Sequence, residues 1–268
     1  MDKYLNRLRQ KMENKEVITA FSTSNPDPMV AEMLAMTGVD FVWCDAEHPA
    51  NDYHDMQNMI IGTRAGGAAA ILRMRSSNPV DLKPLLDMGA DGIIFPMINT
   101  AEDARKAVEA CSYPPYGVRG FGPQRAADYG LLSSAEYAKS RDKVDSGLVK
   151  IMTIETQEAC RNIEEICQVE GVDMLDLGPG DLSMDMGIPG QEADPRVREM
   201  LFEAAEVCKK YNKPILVFPG EDKELMKKWM SYGLSVTFVL GFDMSYLATR
   251  VRDHIGIVEE AKKEFLDK

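Results

Sequence analysis

The chain has 268 residues, of which 45% are hydrophobic and 28% charged, with 43 acidic against 31 basic side chains and a net charge of −12. That is apolar material for a large core and length for one α/β barrel. The acidic balance excludes the basic stripe that nucleic acid requires and does not favour an anionic membrane surface.

No apolar stretch approaches the length of a membrane span. The polar, helical N-terminal segment MDKYLNRLRQKMENKE is not a secretory h-region. Cys44, Cys111, Cys160, Cys167 and Cys208 form no C-x-x-C pair and no zinc-like spacing, so they read as free thiols of a cytoplasmic protein.

Eight short apolar runs then predict strands, at Val17–Phe21, Phe41–Cys44, Ala69–Leu72, Gly92–Phe95, Val149–Ile154, Met174–Leu177, Ile215–Phe218 and Val236–Leu240. They lack strict alternation and most carry β-branched residues, as strands buried on both faces of a parallel sheet do. Helical patterns lie between them, among them Ala101–Ala110, Gln157–Gln168, Arg196–Tyr211 and Asp222–Tyr232. Thr100 followed by Glu102 and Asp103 marks a helix start. Gly89, Gly171 and Gly233 stand where helices stop.

Eight strand–helix units predict a (β/α)8 TIM barrel spanning 1–268 as a single domain. An open doubly wound sheet is the alternative, but no G-x-G-x-x-G follows the first strand, which removes its dinucleotide-binding form. The rhythm breaks at 113–147, where the run Tyr113–Pro123 (YPPYGVRGFGP) specifies a shaped loop. Such an insertion is expected to wall the active site, with a short helix over Ser134–Lys143.

In a barrel the reacting groups sit at the carboxyl ends of the strands. The second run leads to Asp45, Glu47 and His48, the third to Arg73, the fifth to Glu155, and the sixth to Gly178-Pro179-Gly180-Asp181. Glu155 and Asp181 on neighbouring strands are the metal candidates, since hard divalent cations take carboxylate oxygens and keep open positions for substrate. The competing reading makes each a helix cap. Gly178–Gly180 is a side-chain-poor loop whose N–H groups can approach an anion, or simply a βα turn. Arg73 ends an apolar run, where it meets an anionic ligand or a rim carboxylate. His48 lies three residues after Asp45, a carboxylate that could orient its ring for proton transfer.

On these residues the sequence resembles the metal-dependent (class II) pyruvate aldolases of the 4-hydroxy-2-oxoheptanedioate aldolase and 2-dehydro-3-deoxyglucarate aldolase family. The likeness spans roughly residues 16–255. It is carried by DFVWCDAEHP (40–49), LRMRSSNP (72–79), LLDMGADGIIFPMI (85–98), YPPYGVRGFG (113–122), IETQEA (154–159) and EGVDMLDLGPGDLSMDMG (170–187).

The resemblance implies cleavage or formation of 4-hydroxy-2-oxo acids through a metal-stabilised pyruvate enolate, with an aldehyde as the other half. Glu155 and Asp181 would ligate Mg²⁺, Mn²⁺ or Co²⁺. Backbone groups of Gly178, Pro179, Gly180 and Asp181 would hold the substrate carboxylate, and Arg73 would face its ketone oxygen. His48 with Asp45 would move protons at the aldol hydroxyl. Asp87 matches a residue that reaches a neighbouring subunit's site, in a homohexamer built as a trimer of dimers with its final helix exchanged. Ser22 and Thr153 replace Trp and Gln of well-known members, and Gln124–Tyr129 also differs, which leaves the acceptor open. No Schiff-base lysine is implied, since Lys150 opens the fifth strand at the wrong end of the barrel. A CoA-ester lyase of the same superfamily, or a non-catalytic barrel that binds 2-oxo acids, are the alternatives.

Overall fold

The computed structural model describes residues 3–131, 135–136, 145 and 147–266. Its strands are β1 (Val17–Thr23), β2 (Phe41–Asp45), β3 (Ala69–Arg73), β4 (Gly92–Phe95), β5 (Val149–Ile154), β6 (Met174–Leu177), β7 (Ile215–Val217) and β8 (Val236–Phe242). Each pairs in parallel with the next, and β8 pairs with β1, closing an eight-stranded barrel in sequence order. The helices are α1 (Lys3–Glu13), α2 (Pro28–Met36), α3 (Tyr53–Gly66), α4 (Pro79–Asp87), α5 (Ala101–Cys111), α6 (Gln157–Arg161), α7 (Ile163–Cys167), α8 (Pro179–Asp185), α9 (Pro195–Lys210), α10 (Lys223–Met230) and α11 (Asp243–Leu266). The protein is therefore a (β/α)8 barrel rather than an open sheet.

Alternate side chains along each strand go to different places, which is why the strands read as continuous apolar runs. Ile18, Ala20, Phe41, Trp43, Ile71, Ile94, Ile151, Met174, Leu216 and Val239 fill the barrel interior. Their neighbours, such as Val42, Leu72, Ile93, Met152, Leu175 and Val217, pack outward under the helices. Helix α1 adds Leu8 and Met12 to the interior cluster. Its Arg9 pairs with Asp173 at 2.8 Å and donates to the Leu148 carbonyl at 2.7 Å, both just ahead of a strand. The amino-terminal mouth is plugged in this way, and polar chemistry is left to the carboxyl-terminal mouth.

Local signals explain the helix ends. Thr100 and Asp103 form a reciprocal capping box on α5. Gly89 and Gly233 take φ of +84° and +70°, a left-handed turn that side-chain-bearing residues rarely adopt. One helix expectation fails: Gln157–Gln168 is two short helices, because Asn162 leaves the helical conformation and donates its Nδ2 to the Asn99 carbonyl at 2.8 Å. The expected strands two and three also stop one residue short, since Asp45 and Arg73 are paired members of β2 and β3.

The 113–123 segment folds back on α4 and α5. Val118 and Arg119 donate backbone N–H groups to the carbonyls of Glu109 and Ser112, and the Arg119 side chain reaches the Leu86 carbonyl at 3.2 Å. The helix expected over Ser134–Lys143 lies outside the described residues except at 135–136. At the other end, α11 buries no residue along its 24 positions, and among the described residues no helix is long and apolar enough to cross a membrane.

Candidate active site

The carboxyl-terminal rim gathers residues from five strands. Asp45 and Arg73 face each other in register across β2 and β3. Arg73 donates through Nε and Nη2 to the two Asp45 oxygens at 2.8 and 2.7 Å, a planar two-point pair. Glu47 Oε2 lies 3.2 Å from the same Nε, and the guanidinium rests 4.8 Å over the Trp43 ring. Burial works against the Arg73 charge, but Asp45 and Glu47 overcome it and raise its pKa above the ordinary value. The salt bridge considered for Arg73 is thus present, and it fixes the guanidinium while leaving Nη1 outside these pairs.

His48 stands apart from that clamp. Its side chain is 64% exposed, and the acid nearest its Nε2 is Glu47 at 3.8 Å. The expected orientation of its ring by Asp45 is not what the structure shows. Asp45 ends a strand, where Arg73 and the Glu47 N–H (3.0 Å) take its oxygens, while His48 follows in an open loop.

Glu155 follows β5 and Asp181 sits in the first turn of α8. Neither is a helix cap: Thr156 caps α6 with its side chain, and Gly178 occupies the cap position of α8 with no side-chain bond. Glu155 instead accepts the Met97 N–H at 2.6 Å. Met97 takes φ of +54° to present it, a strained conformation of the kind that clusters at functional sites. Glu155 is 6% exposed, and burial pushes its pKa to about 7, Met97 opposing and Asp181 and Glu47 adding repulsion. Gly178 leaves room beside it, since a Cβ there would come within 3.3 Å of the Glu155 Cβ.

Among the described residues no group of three or more His, Cys, Asp or Glu is arranged as a metal cage. Two carboxylates with open positions are nonetheless a donor set for an ion of the Mg²⁺ kind, which keeps its waters and bonds substrate oxygens. The mutual repulsion of Glu155 and Asp181 is what such a cation would relieve. These residues fit the ion.

Two further groups join the site: Glu47, expected on the rim but given no role, and Asp176, not expected there. Glu47 bridges Arg73 and His48, and burial raises its pKa, with Arg73 opposing. Asp176, within the apolar run Met174–Leu177, is 1% exposed and faces inward on β6. Thr153, its register partner on β5, donates Oγ1 to Asp176 Oδ2 at 3.1 Å. Among the described residues Asp176 Oδ1 has no hydrogen-bond partner. Burial pushes the Asp176 pKa to about 8, with Glu155 adding to the rise and Arg73 opposing it. A lone acid at an inward position of a barrel strand is the signal that could have found it.

The remaining candidates divide. Pro179 and Gly180 open α8 beside Asp181, so the Gly178–Asp181 segment lies on the same rim as Glu155. Asp87 is not brought to the Arg73–Glu155 group: it ends α4, 3.8 Å from Arg119 and against Gly122. Lys150 is buried at the start of β5, donating to the Asp145 and Leu148 carbonyls at 3.2 Å, far down the barrel from the rim.

A 2-dehydro-3,6-dideoxy-6-sulfogluconate aldolase of Pseudomonas putida is 35% identical over 83% of this chain and 85% of its own. A 4-hydroxy-2-oxovalerate aldolase of Rhodococcus jostii (strain RHA1) is 31% identical over 92% and 94%. Among solved structures, the citrate synthase SbnG superposes with a TM-score of 0.84 at 28% identity, over 96% of this chain and 98% of that one. Residues 18–238 match the HpcH/HpaI aldolase/citrate lyase family, and this chain belongs to it.

Proposed function

We propose that this protein is a divalent-metal-dependent aldolase, a carbon–carbon lyase that cleaves or forms 4-hydroxy-2-oxo acids with pyruvate and an aldehyde as the other side of the reaction. The observation that carries this reading is the rim itself. Two carboxylates, Glu155 and Asp181, repel each other beside an arginine whose position is fixed by a two-point bond to Asp45.

Glu155 and Asp181 would hold Mg²⁺, Mn²⁺ or Co²⁺. A cation bound there supplies Lewis-acid polarisation of the ketone. The residues of the chain do the rest. The backbone N–H groups around Gly178, Pro179, Gly180 and Asp181 receive the substrate carboxylate. Arg73 presents Nη1 to the ketone oxygen, where negative charge develops as the carbon–carbon bond breaks. Its clamp by Asp45 and Glu47 means that little reorganisation is needed at that moment. His48, at the solvent edge, takes the proton of the 4-hydroxyl in cleavage and returns it in addition. Glu47, 3.8 Å away, stabilises the imidazolium so formed, the part first expected of Asp45.

The same reading covers assembly. The exposed apolar residues Met244, Leu247, Val251, Ile255 and Val258 of α11 recur at three- and four-residue spacings, a stripe left exposed among the described residues. A second copy of the chain, exchanging this helix within a hexamer, would cover it and bring Asp87 to a neighbouring site, in the cytoplasm. The catalytic reading is tested by following pyruvate release from a panel of 4-hydroxy-2-oxo acids with Mg²⁺, Mn²⁺ or Co²⁺ present. Release that needs the cation supports it, and no release from any member of the panel with any of the three ions refutes it.

A further inference from the structure

The loop that follows β2 carries Glu47 and His48 to the rim. It leaves the strand at Asp45 and enters α3 only at Tyr53, with the His48 side chain 64% exposed. Behind it lies a cavity of about 220 Å³, bounded in part by Ala46, Asn51, Met56, Met74 and Leu85, so close packing does not fix the loop from beneath. Arg75 does. From an exposed position just beyond β3, its Nε donates to the Ala46 carbonyl at 2.7 Å and its Nη2 to the Asn51 carbonyl at 2.5 Å. One planar guanidinium thus joins the two ends of the loop, with His48 between them.

Both carbonyls depend on that side chain. Ala46 and Asn51 are 5% and 6% exposed, and among the described residues no backbone N–H reaches either carbonyl. Buried backbone acceptors are nearly always paired, so removing the guanidinium leaves both ends of the loop to find new partners. The Asn51 side chain ties the far end as well, its Nδ2 donating at 3.0 Å to the carbonyls of Ser24 and Asp45. The clamp of Arg73 by Asp45 is independent of Arg75, because both partners are strand residues in register. The rim is therefore held in two parts, Arg73 by strand pairing and His48 by the Arg75 staple.

We propose that Arg75 is a positioning residue: by joining Ala46 to Asn51 it holds the His48 imidazole where it exchanges a proton with the aldol hydroxyl. The inference rests on the aldolase reading and on the role given there to His48. A proton shuttle needs its ring within hydrogen-bond reach of that hydroxyl, and a displacement of about 1 Å can cost on the order of 10²-fold in rate. Enolisation of the 2-oxo acid draws on Glu155, Asp181 and Arg73 and does not need the loop.

The test compares wild type with Arg75→Met and Arg75→Lys, each alone and combined with His48→Ala, with Mg²⁺ present. Two reactions are followed: cleavage of the best substrate of the 4-hydroxy-2-oxo acid panel, and methyl proton–deuterium exchange of pyruvate. Arg75→Met should lower kcat for cleavage about 10- to 100-fold. Its KM and its pyruvate exchange should change less than about threefold. Arg75→Lys, with one ammonium for two carbonyls, should fall between, and it carries the same comparison if Arg75→Met does not fold. Combined with His48→Ala, either change should cost less than about threefold more, since residues that act as a unit are not additive. A merely structural role would lower cleavage and exchange together and would add its full cost to His48→Ala; either result overturns the proposal. Wild-type cleavage by Arg75→Met, or by His48→Ala, overturns it too and leaves the aldolase reading intact. No cleavage of any panel member by the wild type overturns both.

Discussion

Acidifying the solution should loosen divalent-metal binding through Glu155, and Glu155→Gln should remove the binding altogether. Burial pushes the Glu155 pKa from 4.5 to about 7 in the metal-free site. At about 1.4 kcal/mol per unit, ionising it there costs roughly 3 kcal/mol more than in water. A cation takes the carboxylate form, so it must displace the proton. With a pKa near 7 the ionised fraction is about nine-tenths at pH 8 and about one-tenth at pH 6. The apparent Kd for Mn²⁺ should therefore weaken about tenfold over that window.

The sign for stability is opposite to that of a salt-bridged acid. Between about pH 4.5 and 7 the folded protein keeps a proton that the unfolded chain has released. The contribution of Glu155 thus falls as pH rises through that window and levels off above it. Glu155→Gln copies the neutral carboxyl and keeps an acceptor for the Met97 N–H. Its metal-free Tm should exceed that of wild type by a few degrees at pH 8 and match it near pH 5. Calorimetric titration with Mn²⁺ at pH 6, 7 and 8, with melts in chelator, measures all of this. A Kd that is flat across the range, or normal Mn²⁺ binding by Glu155→Gln, would refute the reasoning.

Three further outcomes follow from the same geometry. Arg73→Ala should retain Mn²⁺ binding but lose about 100-fold or more in aldol cleavage, on the order of 3 kcal/mol of barrier. Steady-state kinetics showing a loss below tenfold would contradict its placement at the ketone oxygen. His48→Ala should slow cleavage by about 10²- to 10⁴-fold. A wild-type cleavage rate would mean that the proton goes elsewhere. Val251→Asp with Ile255→Asp should shift the assembly to smaller species in light scattering, since both charges fall on the exposed apolar stripe of α11. An unchanged particle mass would show that the stripe is not the interface.

The barrel was legible in the sequence because strands buried on both faces leave compact apolar runs, and the helix starts and stops carry local chemistry, as at Thr100 and Gly233. The rim was legible for the same reason: a charge that ends an apolar run, like Arg73 or Glu155, has few other places to be. Pairings were not. That Asp45 serves Arg73 rather than His48 depends on the register of β2 against β3, which separates sequence neighbours and joins residues 28 apart. Asp176 escaped notice because one acid in a four-residue strand reads as noise until the inward face is known. The break at Asn162 likewise depends on a tertiary contact, with the Asn99 carbonyl, that no helical period announces.

The central claim is that Glu155 and Asp181 hold a cation with which Arg73 activates a 2-oxo acid. It is tested most directly by pyruvate methyl exchange in D₂O, with the metal-loaded enzyme and again after chelator. Exchange that stops on chelation and returns on adding Mg²⁺ or Mn²⁺ is the result predicted. Exchange that continues at full rate without the metal would contradict it.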